Sequence, residues 1–519
     1  MHHWGPMNEG LERCTTAAGS TLRAWHVRLH QLSDDLSGGL ILGMVVLCPW
    51  WFGTTQPTAM AVTDALGHAL GALLLIKAWV RHGAGFRPAR WLAEPRPVSL
   101  RRLMQALAAI TIFLLAWCAV SALNARAAWI REQAAFEYFN SVPWLPHSLD
   151  RARTWSEFQH MAAWAAFFWS VIDWLPGLTE REQVLRRRWQ LGKGEPGKES
   201  SAPLPGRLRL LLWVLCLNGG LLAVQGMVQR WSGTGQLLWL VEPRVNKGAE
   251  TFFGPYAYRS NAAQYFNLVW PVCLGFWWTL QQRWGFRRWG HQVLLLSAAL
   301  MAACPVMSGS RGGALVTWGL LGLSGAILLL SPALLRARAR LSPLASLITY
   351  ALACLFLGGS LWLGVRLGWP TLEPRMVELE EGYALREGMF ETARQIAADY
   401  PALGTGPGSF EAVFQLYRQS PDEYWPAQLH NDWLELRLTF GWVGLGVMLL
   451  ALGLVLARWW APGGIPGGRR LTLFLWVALT GCLVHARFDY PFRVHSLVLL
   501  FLLLCGILAV LSRPGAHRK

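Results

Sequence analysis

The sequence has few charged residues for a chain of its length. Only 15% of its 519 residues are Asp, Glu, Lys or Arg, whereas soluble domains usually carry about 25%. Acids are the scarcer sign, with 30 Asp and Glu against 47 Lys and Arg, and hydrophobic residues make up 53% of the chain. This balance excludes an ordinary soluble domain and predicts an integral membrane protein.

The long hydrophilic loops, where disulfides would form, contain no cysteine. Of nine cysteines, Cys14 lies in the N-terminal tail and the others lie in apolar segments. His2 and His3 are isolated from other ligand-type residues. The sequence therefore predicts no disulfides and no metal site.

The net charge of +17 raises the question of a nucleic-acid partner. The arginines lie in short loops between apolar segments, which is the pattern of cytoplasmic loops that face anionic lipids. We therefore expect membrane lipids, and no nucleic acid, as partners. Charges occur throughout the first 35 residues without an apolar core, so no cleavable signal peptide is predicted.

Apolar runs long enough to cross a bilayer, roughly 17–25 residues, recur along the whole chain. They predict an all-α, polytopic membrane protein with about twelve transmembrane helices. The predicted spans are 37–53, 58–80, 103–123, 156–175, 208–229, 262–280, 291–308, 312–331, 343–364, 433–458, 471–487 and 495–512. Only the short segment SGSRGG separates the predicted spans 291–308 and 312–331.

Alternate loops carry the arginines, so these loops and both termini are predicted to be cytoplasmic. The predicted organisation is a cytoplasmic tail at 1–36, nine helices within 37–364, a large extracytoplasmic loop at 365–432, three helices within 433–512 and a cytoplasmic tail at 513–519. Apolar residues at helical spacing predict an amphipathic helix at 383–399 inside the large loop, which Pro401 and a glycine-rich turn follow.

That turn, GTGPGSF, contains Gly404, Gly406 and Gly408. Glycine-rich loops can bind phosphate through backbone N–H groups, but no Lys-Ser/Thr pair follows, and the predicted side of the membrane is poor in nucleotides. We interpret the segment as a tight turn that folds the loop back and forms one wall of an external site.

Two arginines stand at predicted outer ends of spans. Arg311 lies in SGSRGG, where small neighbours allow a ligand to approach closely, and its guanidinium suits phosphate oxygens. Arg259 and Asn261 lie in GPYAYRSNAAQYFNLVWP beside several tyrosines. Arginines in such places also snorkel to the interface without binding a ligand. Ligand binding is the favoured hypothesis for Arg311, and both alternatives stay open for Arg259.

Two further segments carry ionisable groups at span ends. HNDWLELRLTFGWVG contains His430, Asn431 and Arg437, and helical spacing would put Arg437 on the same face as His430. Histidine is suited to take a proton near neutral pH, although a lone interfacial histidine is more often structural. In HARFDYPFRVHS, Asp489 is interpreted as the partner of a nearby arginine that joins two span ends.

These segments, in this order, resemble the O-antigen ligase family, which is related to O-antigen polymerases and bacterial O-linked oligosaccharyltransferases. The resemblance covers about residues 250–495 and rests on RSNAAQYFNLVWP, SRGG, LREGMFETARQIAADYPALGTGPGSF and HNDWLELRLTFGWVG. It departs from the family pattern at Thr439, where many relatives have an acid, and at Ala402.

The resemblance implies an enzyme of the bacterial inner membrane with its active site facing the periplasm. Such enzymes transfer a glycan from an undecaprenyl diphosphate carrier to an acceptor hydroxyl, as on lipid A-core. His430 would be the general base and Arg311 and Arg259 the diphosphate clamp, without metal or cofactor. Asn431, Asn261, Arg437, Asp489 and the three turn glycines would support the site.

Other functions stay open. A polymerase would join repeat units, and a protein O-oligosaccharyltransferase would use a protein acceptor. A polysaccharide-lipid transporter would place charges or broken helices near mid-membrane in two related halves, and a scaffold would tolerate loss of His430.

Overall fold

The computed structural model describes residues 24–90, 98–190, 204–243, 248–335, 342–377, 379–418, 426–457 and 468–511. The predicted C-terminal tail and most of the predicted N-terminal tail lie outside these residues. Helices account for nearly all of the regular structure, as predicted. They are α1 Ala24–Trp50, α2 Pro57–Gly83, α3 Val98–Leu123, α4 Arg151–Trp174, α5 Glu180–Gln190, α6 Gly206–Ser232, α7 Arg259–Trp284, α8 Gln292–Met307, α9 Arg311–Leu335, α10 Pro343–Val377, α11 Leu379–Asp399, α12 Phe410–Tyr417, α13 Asp432–Leu456, α14 Gly468–His485 and α15 His495–Leu511.

Each of the twelve predicted spans coincides with one of these helices. Within the described residues, seven helices are long and apolar enough to cross a membrane, namely α1, α2, α3, α6, α9, α10 and α13. Helices α8 and α15 are apolar but shorter. The chain is therefore a multi-pass membrane protein, while the number of twelve crossings stays a prediction. The SGSRGG connection does separate two helices, because α8 ends at Met307 and α9 begins at Arg311.

Helix α7 forms the centre of the bundle. Every residue from Ser260 to Gln281 is buried, and α7 packs against α6, α8, α9 and α14. Polar side chains on such a central helix need partners inside the protein. Asn267, for example, donates to the carbonyl of Gly313 at 3.0 Å and accepts from the hydroxyl of Thr317 at 2.7 Å. These contacts tie α7 to α9.

The large predicted loop is mostly helical. Helix α10 continues to Val377, thirteen residues beyond the end of the predicted span. The predicted amphipathic helix is confirmed as α11, which ends before Pro401. A shorter helix, α12, follows the glycine-rich turn. The connection 365–432 is thus an ordered structure over its described residues.

An antiparallel hairpin is the one departure from all-α structure among the described residues. Its strands are β1 Ala127–Ile130 and β2 Ala135–Tyr138, with Ala127 opposite Tyr138. The hairpin, α11 and α12 form what we call the cap, with its own small hydrophobic core. That core includes Ala127, Phe390, Ile396, Phe410, Phe414 and Leu429.

Candidate functional site

His430 precedes α13 and is not part of it. The helix begins at Asp432, and the side chain of Asn431 caps it by accepting a hydrogen bond from the N–H of Leu434 at 3.2 Å. His430 has φ +56°, a left-handed conformation that costs a non-glycine residue roughly 1–2 kcal/mol. The predicted helical relationship between His430 and Arg437 is therefore wrong. The guanidinium of Arg437 lies instead over the ring of Trp442, 4.5 Å from its centroid.

Hydrogen bonds on both sides hold His430 in this conformation. The N–H of Leu429 donates to Oε2 of Glu435 at 3.1 Å, and the N–H of Asp432 donates to the carbonyl of Ala486 at 2.9 Å. Oδ2 of Asp432 accepts from the N–H of Phe492 at 2.8 Å. The start of α13 is thereby fastened to the turn between α14 and α15.

That turn carries Asp489, whose carboxylate faces the histidine. Nδ1 of His430 lies 3.0 Å from Oδ1 of Asp489. The hydroxyl of Tyr258 donates to Oδ2 at 3.2 Å, and the N–H of Tyr490 donates to Oδ1 at 3.1 Å. Because a carboxylate only accepts, Nδ1 of His430 is the protonated nitrogen and Nε2 carries the lone pair.

Electrostatics keep this carboxylate ionised. Burial acts to raise the pKa of Asp489, but the hydrogen bond from His430 and the electrostatic interactions with His430 and His485 outweigh it and hold the pKa below its ordinary value. Burial raises the pKa of Tyr258, so its hydroxyl keeps its proton and donates. The pair therefore resembles the aspartate–histidine half of a catalytic triad, in which the carboxylate orients the base.

Two tyrosines enclose the imidazole. Its centroid lies 4.7 Å from that of Tyr490 and 6.0 Å from that of Tyr258, in both cases edge to face. The two tyrosine rings stack on each other at 5.6 Å. The side chain of His430 remains 21% exposed, so Nε2 has room to meet a substrate.

The predicted pairing of Asp489 with an arginine is wrong. Arg493 binds Oε1 of Glu435 at 2.7 Å and Oε1 of Glu157 at 3.2 Å. The carboxylate of Asp489 contacts His430 instead. Arg493 thus links α13 and α4 to the turn. The sequence could not distinguish these partners, because Glu435 and Glu157 lie on helices far along the chain from Arg493.

Arg259 and Arg311 stand at the first residues of α7 and α9. Nη1 of Arg259 donates to the carbonyl of Glu250, and Nη1 of Arg311 donates to the carbonyl of Arg375, each at 3.1 Å. Burial and the positive charge of Arg311 lower the pKa of Arg259, against an opposing effect of Tyr258. The two cations therefore act on each other at one end of the bundle.

A buried polar chain joins this end of α7 and α9 to the histidine side. Ser260 Oγ lies 3.1 Å from Ser310 Oγ and 3.3 Å from Nε2 of His485. The carbonyl of His485 accepts from the N–H of Asp489 at 3.0 Å. Arg259 and Arg311 and the pair His430–Asp489 thus flank one network. Asn261, the remaining predicted residue here, is buried in the first turn of α7.

Sequence reasoning missed several members of this site. Arg386 of α11 donates to the carbonyl of Phe488 at 3.0 Å and lies 3.5 Å from the hydroxyl of Tyr258. It brings a third cation from the cap. His485 and Tyr490 were also missed. Tyr258 had been noted beside Arg259, but its contact with Asp489 depends on the folded chain.

The backbone N–H groups of the glycine turn donate to carbonyls of the protein itself. Gly404, Gly406 and Gly408 all have positive φ, between 75° and 104°. The N–H of Thr405 donates to the carbonyl of Leu438, and that of Gly406 donates to the carbonyl of Thr439, each at 3.0 Å. A Cβ on Gly404 would lie 2.5 Å from the carbonyl of Thr439. These N–H groups are engaged, as expected for a structural turn and not for a phosphate loop.

The turn meets α13 where that helix is broken. Gly441 has φ 64° and ψ −172°, which interrupts the helical hydrogen bonds. The N–H groups of Trp442 and Val443 donate instead to the carbonyls of Pro401 and Ala402, at 2.9 and 3.2 Å. Backbone breaks in membrane helices persist where such partners satisfy the freed groups. The turn therefore positions the first half of α13.

In the part of the chain that the structure describes, His430 belongs to no group of potential metal ligands. Among the described residues, one group of His, Cys, Asp or Glu side chains could hold an ion, namely Asp64, His160 and His495.

Comparison with known families gives a match over part of the chain. A family model described as O-antigen ligase matches residues 296–449, which contain Arg311, the glycine turn and His430. The match is shorter than the resemblance found in the sequence and does not include Arg259 or Asp489. No curated protein matches the chain. The match over this region supports membership of the O-antigen ligase family.

Proposed function

We propose that the protein transfers a glycan from an undecaprenyl diphosphate carrier to an acceptor hydroxyl, such as one on lipid A-core, at the periplasmic face of the bacterial inner membrane. Family membership supports an enzyme that handles glycans in general. The single observation that carries the specific chemistry is the contact between Nδ1 of His430 and the carboxylate of Asp489.

The reaction balances with the side chains at hand. Nε2 of His430 takes the proton of the acceptor hydroxyl as its oxygen attacks the anomeric carbon of the sugar. The bond between that carbon and the phosphate oxygen breaks, and its electron pair leaves with the diphosphate. Asp489 stabilises the imidazolium that forms, and the histidine then gives up its proton as the carrier diphosphate departs.

The positive charges are suited to the leaving group. Negative charge develops on the diphosphate during transfer, and fixed cations that stabilise it lower the barrier. Arg259 and Arg311 stand at adjacent helix ends, and Arg386 approaches from the cap. Burial lowers the pKa of Arg259, and the positive charges of Arg311 and Arg386 add to this effect. An anion bound between the cations would relieve their repulsion.

The remaining predicted residues have supporting roles in this proposal. Asn431 fixes the start of α13, and the glycine turn fixes its break. Asn261 lies beside Arg259 in the buried first turn of α7. Arg437, which stacks on Trp442, takes no part in the chemistry. No step of the proposed mechanism uses a metal or a cofactor.

A reconstituted transfer assay tests the proposal. Purified protein in proteoliposomes would receive an undecaprenyl diphosphate-linked glycan and candidate acceptors, namely lipid A-core, a second lipid-linked glycan and a pilin-type protein. We expect transfer to one of them, with a strong loss in His430→Ala and in Arg311→Ala. Arg131→Ala is the matched control, because that arginine is 71% exposed on the hairpin. Full activity in both site variants would overturn the mechanism.

A further inference from the structure

A second polar cluster lies on helices that the proposed reaction does not use. Asp64 of α2, His160 of α4 and His495 at the start of α15 converge, and one potential ligand atom from each lies within 4.8 Å of the others. Asp64 is 8% exposed and His495 is 2% exposed. Ionisable groups inside a membrane bundle are costly, so three of them at one point call for a function.

The distances fit a first-row divalent metal. Nδ1 of His160 lies 2.6 Å from Oδ2 of Asp64 and 3.2 Å from Nε2 of His495, and Nε2 of His495 lies 3.5 Å from Oδ1 of Asp64. Zinc bonds of about 2.0–2.1 Å in a tetrahedron separate neighbouring ligand atoms by roughly 3.3 Å. The two distances from Nε2 of His495 agree with this value, whereas the contact of His160 is made to the other carboxylate oxygen, Oδ2, and is shorter. The third would open by about 0.7 Å once an ion replaced the shared proton.

The surroundings of the cluster also suit an ion. Nε2 of His160 lies 3.1 Å from the hydroxyl of Ser156, and ligating histidines usually have the other ring nitrogen hydrogen-bonded in this way. Oδ1 of Asp64 is buried, and among the described residues its contact with Nε2 of His495 at 3.5 Å lacks hydrogen-bond geometry. A buried carboxylate oxygen left in that state is costly, and a cation at the centre of the cluster would satisfy it.

We propose that Asp64, His160 and His495 bind one Zn²⁺, with water in the fourth position. Two imidazoles and a carboxylate form a ligand set that zinc accepts. The ion would join α2, α4 and α15. His495 follows Arg493 by two residues, and Arg493 binds Glu157 of α4 at 3.2 Å, so the ion would brace the turn that carries Asp489.

Metal content and thermal stability of the full chain test this site. The protein, purified in detergent without a histidine tag, would be loaded with Zn²⁺, desalted and analysed by mass spectrometry for bound metal. We expect one more zinc ion per chain in the wild type than in Asp64→Asn/His160→Asn. We also expect Zn²⁺ to raise the Tm of the wild type and not that of the variant. His68→Asn is the control, since His68 is an exposed residue of the same helix α2.

A second measurement covers the case in which the variant does not fold. Co²⁺ added to the wild type should give the intense visible absorption bands of a tetrahedral site, and Zn²⁺ should abolish them. Equal zinc content in wild type and double variant, or a wild type without such bands, would overturn the proposal. In either case the cluster would be a metal-free group that shares protons between two histidines and a carboxylate.

Discussion

His430 and Asp489 are 59 residues apart in the chain and 3.0 Å apart in the structure. One residue precedes α13 and the other lies in the turn between α14 and α15, and the backbone hydrogen bond from Asp432 to Ala486 joins the two segments. The contact gives the histidine a defined tautomer. It turns a lone interfacial histidine, which is ordinarily structural, into a candidate base.

Removal of the histidine should abolish most of the transfer. We expect His430→Ala to lower kcat about 10²–10⁴-fold, the usual contribution of a general base, with a smaller change in KM. The measurement is the initial rate of glycan transfer in proteoliposomes. His68→Ala, on an exposed face of α2, should keep the wild-type rate. A rate for His430→Ala within about twofold of wild type would exclude the histidine as base.

The carboxylate should matter through the tautomer that it selects. Asp489→Asn replaces an acceptor with a group that can also donate to Nδ1, which would move the proton to Nε2 and block the base. We expect a loss in kcat of up to about 10⁴-fold, as for the same change in a catalytic triad. Tyr258→Phe removes one hydrogen bond to the carboxylate and keeps the ring, so its loss should be much smaller. Equal activity of Asp489→Asn and wild type would show that the contact is only structural.

The same pair predicts how stability depends on pH. The folded protein lowers the pKa of Asp489 below its ordinary value of 3.8, so the unfolded state binds a proton more readily than the folded state. The stabilisation is therefore complete above about pH 5 and is lost as the pH falls below the ordinary aspartate value. The difference in Tm between wild type and Asp489→Asn should shrink as the pH falls from about 5 to below about 4. A difference that grows toward acid would contradict this assignment.

The arginines should act on the leaving group. We expect Arg311→Ala to lower kcat about 10²–10³-fold and Arg311→Lys to recover part of the rate, because lysine keeps the charge but not the bidentate geometry. Arg259→Ala should behave similarly. Inorganic diphosphate should inhibit the wild type competitively with the lipid-linked donor and inhibit the Arg311→Ala variant more weakly. Unchanged inhibition in that variant would place the diphosphate elsewhere.

The break in α13 should tolerate no side chain. A Cβ at Gly441 would lie 2.2 Å from the carbonyl oxygen of Ala402. Its backbone angles, φ 64° and ψ −172°, fall in a region that is essentially confined to glycine and costs another residue roughly 1–3 kcal/mol. We expect Gly441→Ala to lower Tm by several degrees and to reduce activity, because the first half of α13 holds His430 in place. Gly446→Ala, in the same helix and with open space around its Cβ position, should be neutral or slightly stabilising. Equal Tm values for the two variants would contradict the role of the turn.

The sequence determined the helices and the family. Apolar runs of membrane length predicted twelve segments that all coincide with helices, and local spacing predicted α11, because both signals arise from residues close together in the chain. The ordered motifs around Arg311, the glycine turn and His430 indicated the O-antigen ligase family, and the match over residues 296–449 supports it.

Only the tertiary structure decided the partners. His430 lies outside α13 because the next residue, Asn431, caps that helix. Asp489 contacts His430 because Arg493 forms its ion pairs with Glu435 and Glu157. Asp64 lies beside two histidines that come from other helices. Side chains on separate helices leave no periodic signal in one sequence. Their pairing depends on how the helices pack, and packing inside the bundle fixes which buried charges can satisfy one another.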